Sequence, residues 1–188
     1  MANKAVFLDR DGTINVDVGY AHKLEELKII SGVIEGLKEL QELDYKLIIV
    51  TNQAGIGRGY YTKEDYHDFQ LKLRQELNKQ GIFITEEYFC PHHPEKGIGE
   101  YKKNCNCRKP KTGMLEQASN DFNIDLTQSW LIGDKPGDIQ AGNSAGCKTI
   151  LVKTGKAGED RHFSIAPTFT AYNLLEAADY IIKEDENK

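Results

Sequence analysis

The sequence predicts an α/β fold with a mainly parallel sheet on three observations: short apolar runs ending in polar residues, helical apolar spacing between them, and alternation of the two along the chain. Lys4-Ala5-Val6-Phe7-Leu8 is nearly continuous in apolar character and stops at Asp9, as a strand buried on both faces does. Val33, Leu37, Leu40 and Leu43 follow Ser31-Gly32 at helical spacing, and Leu47 to Val50 form a second buried strand ending at Thr51. Together these make one βαβ unit. Thr62 is placed to cap a long helix with the stripe Tyr66, Phe69, Leu73 and Leu77, and Gly81 to end it in a left-handed turn. Ile82 to Phe89 reads as the next strand. From Cys90 to Pro110 the period disappears among Pro, His, Gly, Lys and Cys, leaving a long loop that needs an internal staple. Helix Met114 to Phe122, strand Trp130 to Ile132, helix Ile139 to Ala145, strand Thr149 to Val152 and a helix from Leu174 to Ile182 continue the alternation. The reading is one domain over 1–183 followed by a charged, solvated tail over 184–188.

The chain has 188 residues, with 24 Lys+Arg against 29 Asp+Glu and a net charge of −5. That length buries a core without disulfides or obligate assembly, so a monomer is expected. The absence of a basic tract argues against nucleic acid as a partner. Apolar runs as short as Leu47-Ile48-Ile49-Val50 exclude a membrane helix, and the early stop at Asp9 leaves no secretory signal, so the expected compartment is the cytoplasm.

The chemistry gathers at strand ends. Asp9 and Asp11 flank Arg10, and residues two apart in an extended chain project to one side. Two carboxylates forced together call for a proton or a hard cation such as Mg²⁺. Thr51-Asn52-Gln53 follows the second strand and offers a hydroxyl, an amide and backbone N–H groups to an anionic oxygen. Gly133-Asp134 follows Trp130-Leu131-Ile132, with Asp138 one turn on, and Arg108-Lys109 supplies cations suited to a phosphoryl group. All four elements stand where open α/β sheets bind ligands. Three of four cysteines fall in the loop as Cys90-Pro91-His92 and Cys105-Asn106-Cys107, and three thiolates with one imidazole from His92 or His93 complete a tetrahedral zinc site. Cys147 stands apart as a small buried residue.

Other classes fit less well. A signalling receiver domain places its acidic pair and phospho-acceptor on different strands, whereas Asp9 and Asp11 share one. A zinc-stapled binding module leaves the four strand-end elements unexplained. Gly55-Ile56-Gly57-Arg58-Gly59 matches neither a P-loop nor a dinucleotide fingerprint and reads as a flexible substrate-facing turn.

Asp9-Arg10-Asp11-Gly12-Thr13, Thr51, Lys109 and Gly133-Asp134-Lys135-Pro136-Gly137-Asp138 resemble the blocks of the haloacid dehalogenase superfamily phosphatases over nearly the whole chain. More narrowly, Phe7 to Asn15, Val18-Gly19-Tyr20, Thr51-Asn52-Gln53, the Cys/His pattern and Cys107-Arg108-Lys109-Pro110-Lys111-Thr112-Gly113-Met114 are similar to the family of D-glycero-D-manno-heptose-1,7-bisphosphate 7-phosphatases. Histidinol-phosphate phosphatases are the alternative, as is another small-molecule phosphomonoesterase. The resemblance implies a three-layer Rossmann-like fold without a separate cap domain, and a sugar phosphate as the small-molecule partner. It implies Asp9 as nucleophile, Asp11 as acid and base, and Thr51 and Lys109 as phosphoryl ligands. Catalytic Mg²⁺ is implied at Asp9, Asp134, the Asp11 carbonyl and the Lys135 backbone, with Asp138 orienting Asp134 or Lys135. Structural Zn²⁺ is implied at Cys90, His92, Cys105 and Cys107, the spacing favouring His92 over His93. Substrate contacts are implied for Asp17, Val18, Gly19, Tyr20, Asn52, Gln53 and Arg108.

Overall fold

Ala5–Leu8, strand β1, is fully buried, which requires cover on both faces of the sheet. The computed structural model, which describes residues 2–156 and 166–187, supplies that cover. Strands β2 (Lys46–Asn52), β3 (Glu86–Cys90), β4 (Trp130–Gly133), β5 (Lys148–Val152) and β6 (Phe169–Ala171) join β1 in one sheet of order β3-β2-β1-β4-β5-β6. Every pairing is parallel, with Phe7 level with Ile48 on one side and Leu131 on the other.

Successive strand residues feed opposite layers. Val6, Leu8, Leu47 and Ile49 pack with Val33, Leu37 and Leu40 of α1 (Val33–Glu42), Leu73 and Leu77 of α3 (Lys63–Lys79), and Leu174, Ala178 and Ile181 of α6 (Leu174–Glu186). Ala5, Phe7, Ile48 and Val50 face Met114, Leu115 and Ala118 of α4 (Gly113–Phe122) and Ala141 of α5 (Pro136–Ala145). Each large apolar side chain so buried contributes roughly 1.5–3 kcal/mol, and Phe7→Ala would cost about 3–5 kcal/mol at the centre of the second layer. The three-layer reading holds, and no cap domain is inserted among the described residues.

Several boundaries differ from the sequence reading. The third strand begins at Glu86, because Ile82 and Ile84 are buried as single anchors before the chain enters the sheet. The glycine-rich turn is instead a short helix, α2 (Ala54–Gly57): an added Cβ on Gly57 would lie 2.3 Å from Pro91 O, so close packing explains that glycine. β6 is only three residues long and carries no pattern to read. The final helix runs to Glu186 instead of Ile182, because its last turn is tied down: Asp185 accepts from Lys4 Nζ and Tyr45 Oη, both at 2.9 Å, and Glu184 pairs with Lys148. Lys188 lies outside the described residues. β1 and β4 are neighbours whose sequence successors, β2 and β5, lie on opposite sides, so the loops leaving β1 and β4 part and open a crevice at their carboxyl ends.

Candidate active site

The chain leaves β1 with Asp9 and Asp11 on the crevice and Arg10 turned into the core, the alternation that strand geometry imposes. Arg10 is fully buried with its guanidinium over Phe69 and Tyr66. It makes a forked contact to the Asp11 carboxylate, with Nη2 at 2.9 Å from both oxygens. Asn15 Nδ2 and Gln53 Nε2 each donate to the same carboxylate at 2.9 Å, and Tyr61 donates to Gln53 Oε1. Asp11 is therefore fixed by three side chains from two segments, Arg10 and Asn15 after β1 and Gln53 after β2. Sequence reasoning missed Arg10, Asn15 and Tyr61, although Arg10 between two aspartates at the end of a buried strand was a visible signal.

Asp9 faces two ammonium groups. Lys109 Nζ donates to Asp9 Oδ1 at 2.9 Å and pairs with Asp138 Oδ1 at 2.7 Å, while Lys135 Nζ lies 3.5 Å from Asp9 Oδ2. Burial works to raise the Asp9 pKa, but Lys109 and then Lys135 hold it down to about 2. Asp9 is thus an anion at the cavity floor. For Asp134 the balance reverses: burial first and Asp9 second push it up to about 7, against Lys135. Asp138 also takes the Lys135 N–H at 3.0 Å, so it orients Lys109 and the Lys135 backbone; no bond to Asp134 accompanies these.

Asp9, Asp134 and Asp138 bring carboxylate oxygens within 4.8 Å of one another. Lys135 Nζ sits among Asp9 Oδ2, Asp134 Oδ1 at 3.2 Å and the Asp11 carbonyl at 3.2 Å, with Asp17 at 3.7 Å. An all-oxygen pocket that draws in an ammonium and strains one carboxylate toward neutrality fits a hard divalent cation. Gly12 has φ +89°, and an added Cβ would lie 2.5 Å from Asp134 Oδ2. The loop after β5 closes the other side: Lys156 N–H donates to Asp134 Oδ2 and Thr154 Oγ1 to Gly12 O, both at 2.6 Å. Thr154 to Lys156 went unread although they too follow a strand end.

Thr51 Oγ1 is buried beside this group and accepts from Gln53 Nε2 at 2.9 Å. The Asn52 amide is spent on the backbone of Lys109 and the Gln53 N–H on Cys90 O, so these two of the expected donors are already engaged. The crevice, about 590 Å³, is lined by Asp9, Asp11, Thr51 and Lys109 at its floor and by Asp17, Gly19, Tyr20, His93, Arg108 and Lys156 among its walls. Val18, half exposed, is not among the lining residues. Tyr20 holds its place by contact with Arg58 and Tyr60.

The aperiodic loop carries its own cluster. Cys90, Cys105 and Cys107 sulfurs lie 3.2–3.4 Å apart, and His92 Nδ1 is 3.6 Å from Cys90 Sγ and 3.4 Å from Cys107 Sγ. These edges approach the ~3.7 Å that a tetrahedron with bonds of ~2.3 Å requires, and exceed any disulfide. Cys147 is buried in the second apolar layer.

The aspartate pair after β1, Thr51 at the carboxyl end of β2, Lys109 and the acidic pair after β4 on this parallel sheet define a hydrolase of the haloacid dehalogenase class. Residues 106–177 match the Hydrolase_like family model, HAD-hyrolase-like. The chain is 48% identical over 159 residues to D-glycero-beta-D-manno-heptose-1,7-bisphosphate 7-phosphatase of Haemophilus ducreyi, covering 84% of this chain and 87% of that protein. It is 41% identical over 184 residues to the protein of the same name in Vibrio cholerae, covering 97% and 98%. It superposes on the crystal structure of D,D-heptose 1,7-bisphosphate phosphatase from B. bronchiseptica, complexed with magnesium and phosphate, with TM-score 0.85, 28% identity and coverage of 96% and 99%. The chain belongs to the D-glycero-D-manno-heptose-1,7-bisphosphate 7-phosphatase family. Among the described residues no helix is long and apolar enough to cross a membrane.

Proposed function

We propose that this chain removes the 7-phosphate of D-glycero-D-manno-heptose 1,7-bisphosphate by two phosphoryl transfers through Asp9. One observation carries the reading: Asp9 is a buried carboxylate kept anionic by Lys109 and Lys135 at the floor of an open, cation-walled cavity. Asp9 attacks phosphorus, the bond from phosphorus to the C7 oxygen breaks, and Asp11 gives that oxygen its proton. A water then attacks the aspartyl phosphate, Asp11 takes a proton from it, and phosphate departs with the Asp9 carboxylate restored. Arg10, Asn15 and Gln53 hold Asp11 in place for both steps. Thr51 and Lys109 bind phosphoryl oxygens, with Lys109 offsetting charge that builds up on them.

Asp9, Asp134, the Asp11 carbonyl and the Lys135 backbone are the groups that would hold Mg²⁺, which when bound neutralises phosphoryl charge. Arg108 and the turn from Asp17 through Gly19 to Tyr20 contact the sugar end, with Val18 as an outer flank. Asn52 and Gln53 act there by shaping the floor. Cys90, His92, Cys105 and Cys107 take a structural Zn²⁺ that fixes the loop bearing Arg108 and Lys109. The unbonded thiols suit the reducing cytoplasm, and a site completed within one chain supports action as a monomer.

The test is a kinetic comparison of heptose 1,7-bisphosphate with histidinol phosphate, with Asp9→Asn as control. The bisphosphate is expected to give the higher kcat/KM, because Arg108 and Arg58 repel the amine and imidazole of histidinol phosphate. A higher kcat/KM for histidinol phosphate, or near-normal turnover by Asp9→Asn, overturns the reading.

A further inference from the structure

His93 stands next to a zinc-cluster residue, yet it takes no part in that cluster and lines the cavity instead. Its ring is oriented by its own loop. Nδ1 accepts backbone N–H groups from Glu95 at 3.2 Å and Lys96 at 3.0 Å, and the His93 N–H donates to Tyr101 O at 3.1 Å. An imidazole nitrogen that accepts two hydrogen bonds carries no proton, so the ring proton resides on Nε2. Among the described residues no side chain or backbone group takes that proton. The half-buried ring thus presents a fixed donor at the cavity wall.

Its neighbours are cationic. Arg108 also lines the cavity, and its Nη1 donates to His92 O at 3.1 Å, tying it to the backbone that carries His93. Arg58 and Lys96 add positive potential at the imidazole, with Glu95 opposing. A neutral donor set among guanidinium groups suits a phosphate, which can accept from several donors at once. The phosphate transferred to Asp9 already has Thr51 and Lys109 at the floor, so the wall donor is left for another anionic group of the substrate.

We infer that His93 is a specificity residue whose Nε2–H binds the phosphate that is not transferred, the one at position 1. This rests on the bisphosphate reading above. The experiment uses heptose 1,7-bisphosphate and heptose 7-phosphate, which differ only in that group. His93→Asn keeps an acceptor for the Glu95 and Lys96 N–H groups but withdraws the outer donor, whereas His93→Gln restores a donor near the Nε2 position. A hydrogen bond to a charged group corresponds to roughly a tenfold or larger change in binding. For His93→Asn the kcat/KM for the bisphosphate is therefore expected to fall about tenfold more than for the 7-phosphate, mainly through KM, with partial recovery in His93→Gln. Equal penalties on both substrates, or none, overturn the inference. Independent of variant folding, heptose 1-phosphate added to ¹⁵N-histidine-labelled wild-type protein should shift the His93 Nε2 resonance, and an unmoved resonance also overturns it. Failure of the parent reading looks different: wild-type enzyme would then discriminate against the bisphosphate itself.

Discussion

The side-chain amide of Asn52 makes two bonds to the backbone of Lys109, Nδ2 donating to the carbonyl at 3.0 Å and Oδ1 accepting the N–H at 3.1 Å. This clamp joins the end of β2 to the loop that delivers the Lys109 ammonium to Asp9. Asn52→Ala leaves both Lys109 backbone groups without their partner, at about 1–3 kcal/mol each where water cannot replace it. A lower melting temperature and a kcat reduced by about tenfold or more, with zinc content unchanged, are expected from thermal denaturation and steady-state kinetics. A wild-type kcat would show that the clamp does not position Lys109.

Gly12 and Gly155 press on the same carboxylate from two sides. A Cβ added at Gly155 would lie 2.1 Å from Asp134 Oδ2, and one at Gly12 2.5 Å from it with a left-handed backbone as well. Gly155→Ala is expected to weaken Mg²⁺ binding, measured by calorimetry, by about tenfold or more, since Asp134 must move. Unchanged affinity would mean that the carboxylate relocates without loss.

Through Asp134 and Asp138, the metal-free protein should lose stability as pH rises from about 4 to about 7, a contribution read as the difference between wild type and Asp134→Asn. Asp134 is pushed up to about 7 from an ordinary 3.8, chiefly by burial and then by Asp9, and burial raises Asp138 as well. In that window the folded state binds more protons than the unfolded one, so the slope of stability with pH is negative. Asp9, held down to about 2, acts with the opposite sign only below about pH 4. Denaturant titrations in chelator at pH 5 and 7 check this. Saturating Mg²⁺ should flatten the slope, and Asp134→Asn should reduce it.

Zinc analysis of purified protein should give one ion per chain, bound by Cys90, His92, Cys105 and Cys107. Cys107→Ser is expected to lose the metal, lower the melting temperature and reduce activity, because Arg108 and Lys109 follow directly on that ligand. Protein without zinc whose loop resists protease as well as the metal-loaded form would contradict the role.

The layers and most of the floor were legible because they are local. Runs such as Ala5–Leu8 declare a buried strand by composition, and Thr62 does cap its helix, accepting the Asp65 N–H. Pieces stabilised by distant partners were not legible. The last turn of α6 depends on Lys4 and Tyr45, and β6 depends on pairing with β5. The side chains that fix Asp11 come from sites as far along the chain as Gln53, 42 residues away.

By itself the sequence determined which chemistry was available: two carboxylates on one strand end, a threonine and an acidic pair on two others, a lysine, and a thiolate-imidazole set. Residue type and spacing are properties of a few bonds and need no fold to be read. Tertiary structure decided how those groups were charged and aimed. Asp9 and Asp134 are the same residue type in one pocket, yet one is held at about 2 and the other near about 7. Burial pushes both up, so the difference arises from the charges each one faces: Lys109 reaches Asp9 across a hundred residues of chain, while Asp134 faces the Asp9 carboxylate.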